Sequence, residues 1–240
     1  MSSLIPPYCE LKGEEIVAGL RGIAVDPRDF VAYWVYLSTR DPFAVLVATL
    51  LSQHSTDRKA LEVYRRLVQV VKNLSPASFL NCEEQELAEI LRPVGLHRRK
   101  AKLLRTLARE VVDFDLKALS NLPTFEARQR LLRLPGVGPK TADVLLLHLG
   151  HPLFPVDTHI ARITWRLSWA KRPCYEEIQK VWMELFSPED YQEAHLRLIQ
   201  WGREICQARK PRCFTCFLRI CCSFAKEGGG LKNSFWYNGG

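Results

Sequence analysis

Three groups of residues in this chain of 240 have types and spacings suited to chemistry. The first is Lys140, set in the stretch Leu134-Pro-Gly-Val-Gly-Pro-Lys-Thr-Ala-Asp143. A lysine in the first turn of a helix sits where the positive dipole end disfavours its ammonium, which favours the neutral, nucleophilic amine able to form a Schiff base. The second is Asp157, seventeen residues later in Val-Asp-Thr-His-Ile-Ala-Arg. Its position before a helical run suits both a helix N-cap and a catalytic carboxylate, roles that are compatible. The third is Cys206, Cys213, Cys216 and Cys222, whose gaps of six, two and five residues leave only one Cys-x-x-Cys hook. Zinc sites usually pair two such hooks, and four thiolates with graded spacing equally suit an iron–sulfur cluster.

These residues need elements to hold them. The runs on either side of Gly136 and Gly138 have helical composition, so two short helices joined by a glycine hairpin is the simplest assignment. Both glycines are expected to take backbone angles closed to other residues, and Pro139 suits the first position of the second helix. The free amides at that helix start, backed by the dipole, make a phosphate site. Thr141 and Asp143 read as ordinary surface residues. Upstream, Asp41-Pro42 opens a helix that is apolar nearly all round to Ser52, as expected of the centre of a helical domain. It leads into the polar patch Leu51-Ser-Gln-His-Ser-Thr-Asp57, where Asp57 or Thr56 should cap the next helix. Regular β patterning is absent, and the count is roughly ten or eleven helices: an all-α fold.

Composition narrows the partners. Thirty-four Lys and Arg against twenty-six Asp and Glu give a net charge of +8. From Leu91 to Arg109 there are seven basic residues, among them Arg98, Arg99 and Lys100, and no acid to pair with them. Such a stretch points to a polyanion. The N-terminus lacks the charged start and apolar core of a secretory signal, and the longest apolar run, Phe43 to Leu51, is too short to span a bilayer. An intracellular protein without membrane association is expected. Five of eight cysteines fall between Cys206 and Cys222, which favours a metal site over a disulfide framework.

Taken together, the hairpin, the Val-Asp-Thr-His-Ile-Ala-Arg block, the cysteine spacing and the early Leu-Ser-Gln-His-Ser-Thr-Asp patch resemble the helix-hairpin-helix DNA glycosylases, specifically the endonuclease III group. The resemblance runs from about 45 to 222. It implies a six-helix domain near 37–150, a cluster domain from 1–36 plus 151–226, a flexible tail at 227–240, and a DNA groove flanked by the two domains. It assigns Lys140 as nucleophile, Asp157 as catalytic aspartate, and the four cysteines as ligands of a [4Fe–4S] cluster. The implied partner is double-stranded DNA carrying a damaged or mismatched base, gripped by Gly136, Gly138, Arg98, Arg99 and Lys100. The implied reaction is base release followed by β-elimination, acting as a monomer in cytoplasm or nucleoid, or in the nucleus of a eukaryote.

The family usually places Gln where His54 stands, with Gln53 beside it, so which of the two fills the gap left by a flipped base is open. Leu96 matches the second wedge position. Pro139 replaces the common basic residue before the lysine. Oxidised pyrimidine is the default substrate, with 8-oxoguanine, mismatched thymine or uracil, and a non-catalytic DNA-binding role as alternatives. The adenine-removing branch is disfavoured because Phe43 to Thr56 has no carboxylate.

Overall fold

A computed structural model describes residues 9, 11 and 13–226 of the chain. The described residues form helices and turns, with no strand among them. The expected tail at 227–240, with its aromatic Phe235-Trp236-Tyr237, lies outside them. The chain divides into two compact units, one from Asp26 to His151 and one joining residues up to Val25 with those from Pro152 onward.

The unit from Asp26 contains α2 (Val31–Thr39), α3 (Pro42–Ser52), α4 (Asp57–Val70), α5 (Pro76–Asn81), α6 (Glu84–Ile90), α7 (His97–Val111), α8 (Thr124–Leu132) and α9 (Pro139–His148), following α1 (Gly13–Arg21) of the other unit. It starts before the expected 37, since a boundary there would cut through α2, which packs along α3. Asp41 caps α3 by accepting from the Phe43 amide at 3.1 Å, and Pro42 occupies the first turn. Residues 42–51 of α3 are all buried, because α2, α4, α7 and α9 pack around it. Leu46, Leu50 and Leu51 are almost wholly removed from water, each contributing about 1.5–3 kcal/mol. Of the two candidate caps of α4, the structure uses Thr56. Its hydroxyl accepts from the Lys59 amide at 3.4 Å, while the Asp57 carboxylate reaches away to accept from Val31 at the start of α2, 3.2 Å. Asp57 thus serves an orphan amide of a different helix.

The other unit holds α1, α10 (Thr158–Leu167), α11 (Tyr175–Leu185), α12 (Tyr191–Glu204) and α13 (Ser223–Lys226). Its core is aromatic: Phe154 stacks on Trp182 and Phe186 and meets Tyr191 and His195 edge-on. Arg197 on α12 donates to the carbonyls of Leu20, Arg21 and Ile23, which closes the end of α1. Cys9 and Cys221 form a disulfide across 212 residues, so one of the five clustered cysteines belongs to a cross-link and not to a metal set. A bridge closing so long a loop restricts the unfolded chain and contributes about 2–4 kcal/mol when oxidised.

Candidate nucleic-acid and catalytic site

The hairpin is built as its composition suggests, from α8 into α9 with Pro139 in the first turn. Gly136 has φ +76, a conformation that favours glycine, and a Cβ there would also push on the tip of the Leu103 side chain, 2.7 Å away. Gly138 departs from expectation. It is extended (φ −90, ψ 179), a conformation open to any residue, and acts as N-cap of α9. Lys140 follows Pro139 in the first turn and is half-buried. Among the described residues its ammonium has no hydrogen-bond or ion-pair partner.

Thr141 and Asp143, expected at the surface, are buried. Asp143 accepts from Arg128 Nε at 2.7 Å, with Arg128 Nη2 3.4 Å from its second oxygen, an ion pair locking α8 to α9. Thr141 Oγ1 and the Gly136 carbonyl both accept from the Gln53 side-chain amide, at 3.4 and 3.2 Å. Gln53 therefore fastens the early polar patch to the hairpin. Its neighbour His54 is exposed and sits at φ +54, a left-handed conformation uncommon for a residue with a Cβ. Leu96 is likewise left-handed, φ +49, and 52% exposed at the start of α7.

The basic stretch separates into surface and interior. Arg92, Arg98, Arg99, Lys102 and Arg109 are exposed, and Arg92 pairs with Glu89 at 3.4 Å, an acid just upstream of the stretch. Arg105 turns to the carbonyls of Phe79, Leu80 and Cys82. Lys100, expected to meet DNA, is 5% exposed, and its ammonium donates to Leu51 (2.9 Å), Gln53 (2.7 Å) and Val94 (3.1 Å) carbonyls. Its three protons are engaged, leaving none for a phosphate. Burial pushes Lys100 down to about 8, against which the three carbonyl acceptors favour the charged form.

In the other unit, Asp157 caps α10, accepting from the Ile160 amide at 2.8 Å. One turn along α10, Arg162 donates to His159 Nδ1 (3.0 Å) and to the carbonyls of Gly202 and Cys206 (both 2.9 Å). Burial pushes His159 down, which keeps the ring neutral and Nδ1 able to accept. Gly202 is required here, because a Cβ would lie 2.7 Å from that of His159. Further along α10, Arg166 donates to the Gln207 and Ala208 carbonyls at 2.7 and 2.8 Å and stands 3.4 Å from Cys206 Sγ. The helix capped by Asp157 thus carries the two arginines that hold the cysteine loop.

Cys206, Cys213, Cys216 and Cys222 line one partly open cavity together with Arg166, Arg219 and Phe224. Cys221 is fully buried in its bridge to Cys9 and is absent from that lining. Burial pushes the Cys216 thiol up to about 12 and the Cys222 thiol upward. Among the described residues no three His, Cys, Asp or Glu side chains are drawn together tightly enough for a single metal ion. Four soft thiol donors around one pocket, with guanidinium groups beside them, have the donor chemistry of an iron–sulfur cluster.

A family profile described as HhH-GPD superfamily base excision DNA repair protein matches residues 47–188, more than half of the chain. The chain belongs to this superfamily. Endonuclease III of Sulfolobus acidocaldarius is 34% identical over 211 residues, which cover 87% of this chain and 93% of that protein. Endonuclease III of Escherichia coli K12 is 31% identical over 192 residues, 80% and 88% of the two chains. A solved trapped endonuclease III–DNA covalent intermediate superimposes with a TM-score of 0.69 at 29% identity, covering 91% of this chain and 99% of that one. A thermostable thymine-DNA glycosylase structure gives 0.65 at 26% identity, covering 79% and 86%. The HhH-GPD match takes in the hairpin, Lys140 and Asp157 and ends before Cys206, so the cysteine loop lies outside the matched residues. Sequence reasoning overlooked Thr141, Asp143, Arg162 and Arg166 as structural members of these sites. Arg128 and Asp143, fifteen residues apart across a turn, carried a signal that charge pairing alone could have raised.

Proposed function

We propose that this chain removes an oxidised pyrimidine from duplex DNA and then nicks the strand through a Schiff base on Lys140. Membership of a base-excision superfamily supports DNA glycosylase and lyase chemistry of the endonuclease III kind. The observation that carries the reading is the placement of Lys140: half-buried, in the first turn of the hairpin's second helix, without a partner among the described residues. The Lys140 amine attacks C1′ of the deoxyribose while the N-glycosidic bond breaks and the base leaves with a proton. Ring opening gives the imine, loss of a C2′ proton expels the 3′ phosphate, and water then releases the lysine. Asp157, held rigid as a cap, stabilises the developing positive charge. The α9 amides and the exposed Arg98 and Arg99 bind phosphates. His54 fills the gap left by the flipped nucleotide, because the Gln53 amide is engaged on the hairpin and His54 is exposed. Leu96 is the second wedge.

We assign Cys206, Cys213, Cys216 and Cys222 to a [4Fe–4S] cluster. When bound, it supplies iron–thiolate bonds that order the basic loop, and no bond-breaking step is assigned to it. Purified protein is expected to be brown with about four irons per chain, the stoichiometry of a single cubane cluster. A colourless preparation carrying stoichiometric zinc would exclude the assignment.

The lesion is tested with a panel of duplexes, each carrying one defined lesion and scored separately for base release and nicking. Oxidised pyrimidines should be released fastest, with nicking at the same site. Preferential release of mismatched thymine would instead favour a second reading, motivated by the thymine-DNA glycosylase neighbour. Binding without release of any base would leave only a DNA-binding role.

A further inference from the structure

The loops carrying His54 and Leu96 share one buried cation. Lys100 Nζ donates to the carbonyls of Leu51 and Gln53, at the end of α3 and in the turn that follows, at 2.9 and 2.7 Å. It donates also to the Val94 carbonyl, at 3.1 Å, in the turn that leads to Leu96. The backbone amide of the same residue donates to the Leu96 carbonyl at 2.8 Å. Those contacts surround the two exposed left-handed residues: Gln53 precedes His54, and Val94 lies two positions before Leu96. Lys100 is also one turn into α7, so the wedge at its N-terminus is tied to a helix whose apolar face is buried through Ala101, Leu104, Leu107 and Ala108.

Left-handed conformations of residues with a Cβ persist only where their surroundings over-determine them. At His54 and Leu96 the side chains are exposed and give no such hold. The carbonyls beside them do, because an ammonium with three donors converges three peptide oxygens at fixed directions. The Gln53 side chain extends the tie to the hairpin through Gly136 and Thr141. The Lys100 ammonium is therefore a common anchor from which both exposed tips are aimed.

We infer that Lys100 is a positioning residue that sets the mutual spacing of the His54 and Leu96 tips, so that both enter the DNA stack together when a nucleotide is extruded. This rests on the reading of His54 and Leu96 as wedges given above. An apolar or misplaced tip still binds phosphates through the exposed arginines, so the loss falls on the opening of the duplex and not on encounter. Extrusion costs unstacking energy that only correctly inserted side chains offset.

The test is single-turnover base release by Lys100→Met on two substrates: a fully paired lesion duplex, and one with the lesion inside an unpaired bubble where opening is already done. The variant should lose about 100-fold on the paired duplex, the size of effect expected from a shift of about 1 Å in positioning groups. Most of that loss should be recovered on the bubble. Lys100→Arg keeps a buried cation and carbonyl bonding and is the variant to use should Met not fold. Its guanidinium presents its donors in one plane and on a longer stem than the ammonium, which shifts the carbonyls it holds, so a smaller loss is expected, again confined to the paired duplex. His54→Ala and Leu96→Ala test the wedge reading separately and should show the same substrate pattern. Combining Lys100→Met with Leu96→Ala should cost less than the product of the two single losses. Equal loss on both substrates in folded Lys100 variants, with the wedge variants still selective for the paired duplex, would overturn the positioning role. Wedge variants that act alike on both substrates would overturn the wedge reading instead, and the positioning role with it.

Discussion

Replacing Lys140 with Gln should abolish the borohydride-trapped crosslink to damaged DNA and lower strand nicking by on the order of 10⁴-fold or more, as expected when a covalent nucleophile is removed. Duplex affinity should change little. The proposed grip comes from α9 amides, which the substitution leaves in place, and from Arg98 and Arg99 on α7, both exposed. The fold should also be untouched, since the ammonium makes no hydrogen bond or ion pair among the described residues. The comparison that isolates charge is Asp157→Asn. Asparagine caps a helix as well as aspartate does, so the bond to the Ile160 amide, now 2.8 Å, can persist. Asp157→Asn should therefore keep the melting temperature and lose base release, because in the proposed mechanism the carboxylate charge stabilises the transition state. Single-turnover assays with separate scoring of base release and nicking give both results. A crosslink that survives in Lys140→Gln would remove the Schiff-base assignment.

Asp143→Ala should be among the most damaging substitutions in the hairpin despite lying outside the proposed chemistry. The Asp143 side chain is fully buried and that of Arg128 18% exposed, joined by bonds of 2.7 and 3.4 Å. Removing one partner of a buried pair leaves an uncompensated charge at a cost of about 3–5 kcal/mol, and the residual exposure of Arg128 puts this case near the lower end. At about 3 kcal/mol the melting temperature should fall by about 6–12 °C for a chain of this size. Exchanging both partners for apolar residues, Arg128→Met with Asp143→Leu, should recover most of the loss. Little dependence on salt is expected, since the pair is shielded from bulk ions. Thermal melts of the single and double variants check this. An unchanged midpoint in Asp143→Ala would show that α8 and α9 are held by apolar packing alone.

The corrections share a cause. Lys100 lies in a run of seven basic residues without an acid, a pattern that by charge alone points outward to a polyanion. It turns inward because α3 and the turn after it leave carbonyls at Leu51 and Gln53, 49 and 47 residues away, that need a donor. Asp143 faces Arg128 for a similar reason: its place on α9 is against α8, and the composition of α9 alone does not say which face is covered. Gly138 shows the reverse error, since a glycine in a hairpin suggests an unusual φ, and only the backbone reveals an extended residue beside the truly left-handed Gly136.

What the sequence determined by itself was local and periodic. The all-helical class, the α8–α9 hairpin with Pro139 in its first turn, the caps at Asp41 and Asp157, and the buried α3 all follow from residue spacing along one segment, because helix propensity, capping and amphipathic period act within a few residues. The tertiary structure decided the direction of each charged side chain and the partner of each cysteine. Cys221 and Cys222 are adjacent in sequence and chemically alike, yet one is joined to Cys9 across 212 residues and the other lines the cavity with three further thiols. The six-two-five spacing singles out Cys222, whereas the pairing of Cys221 depends on which distant segment packing brings beside its sulfur, a property that the order of residues around it does not contain.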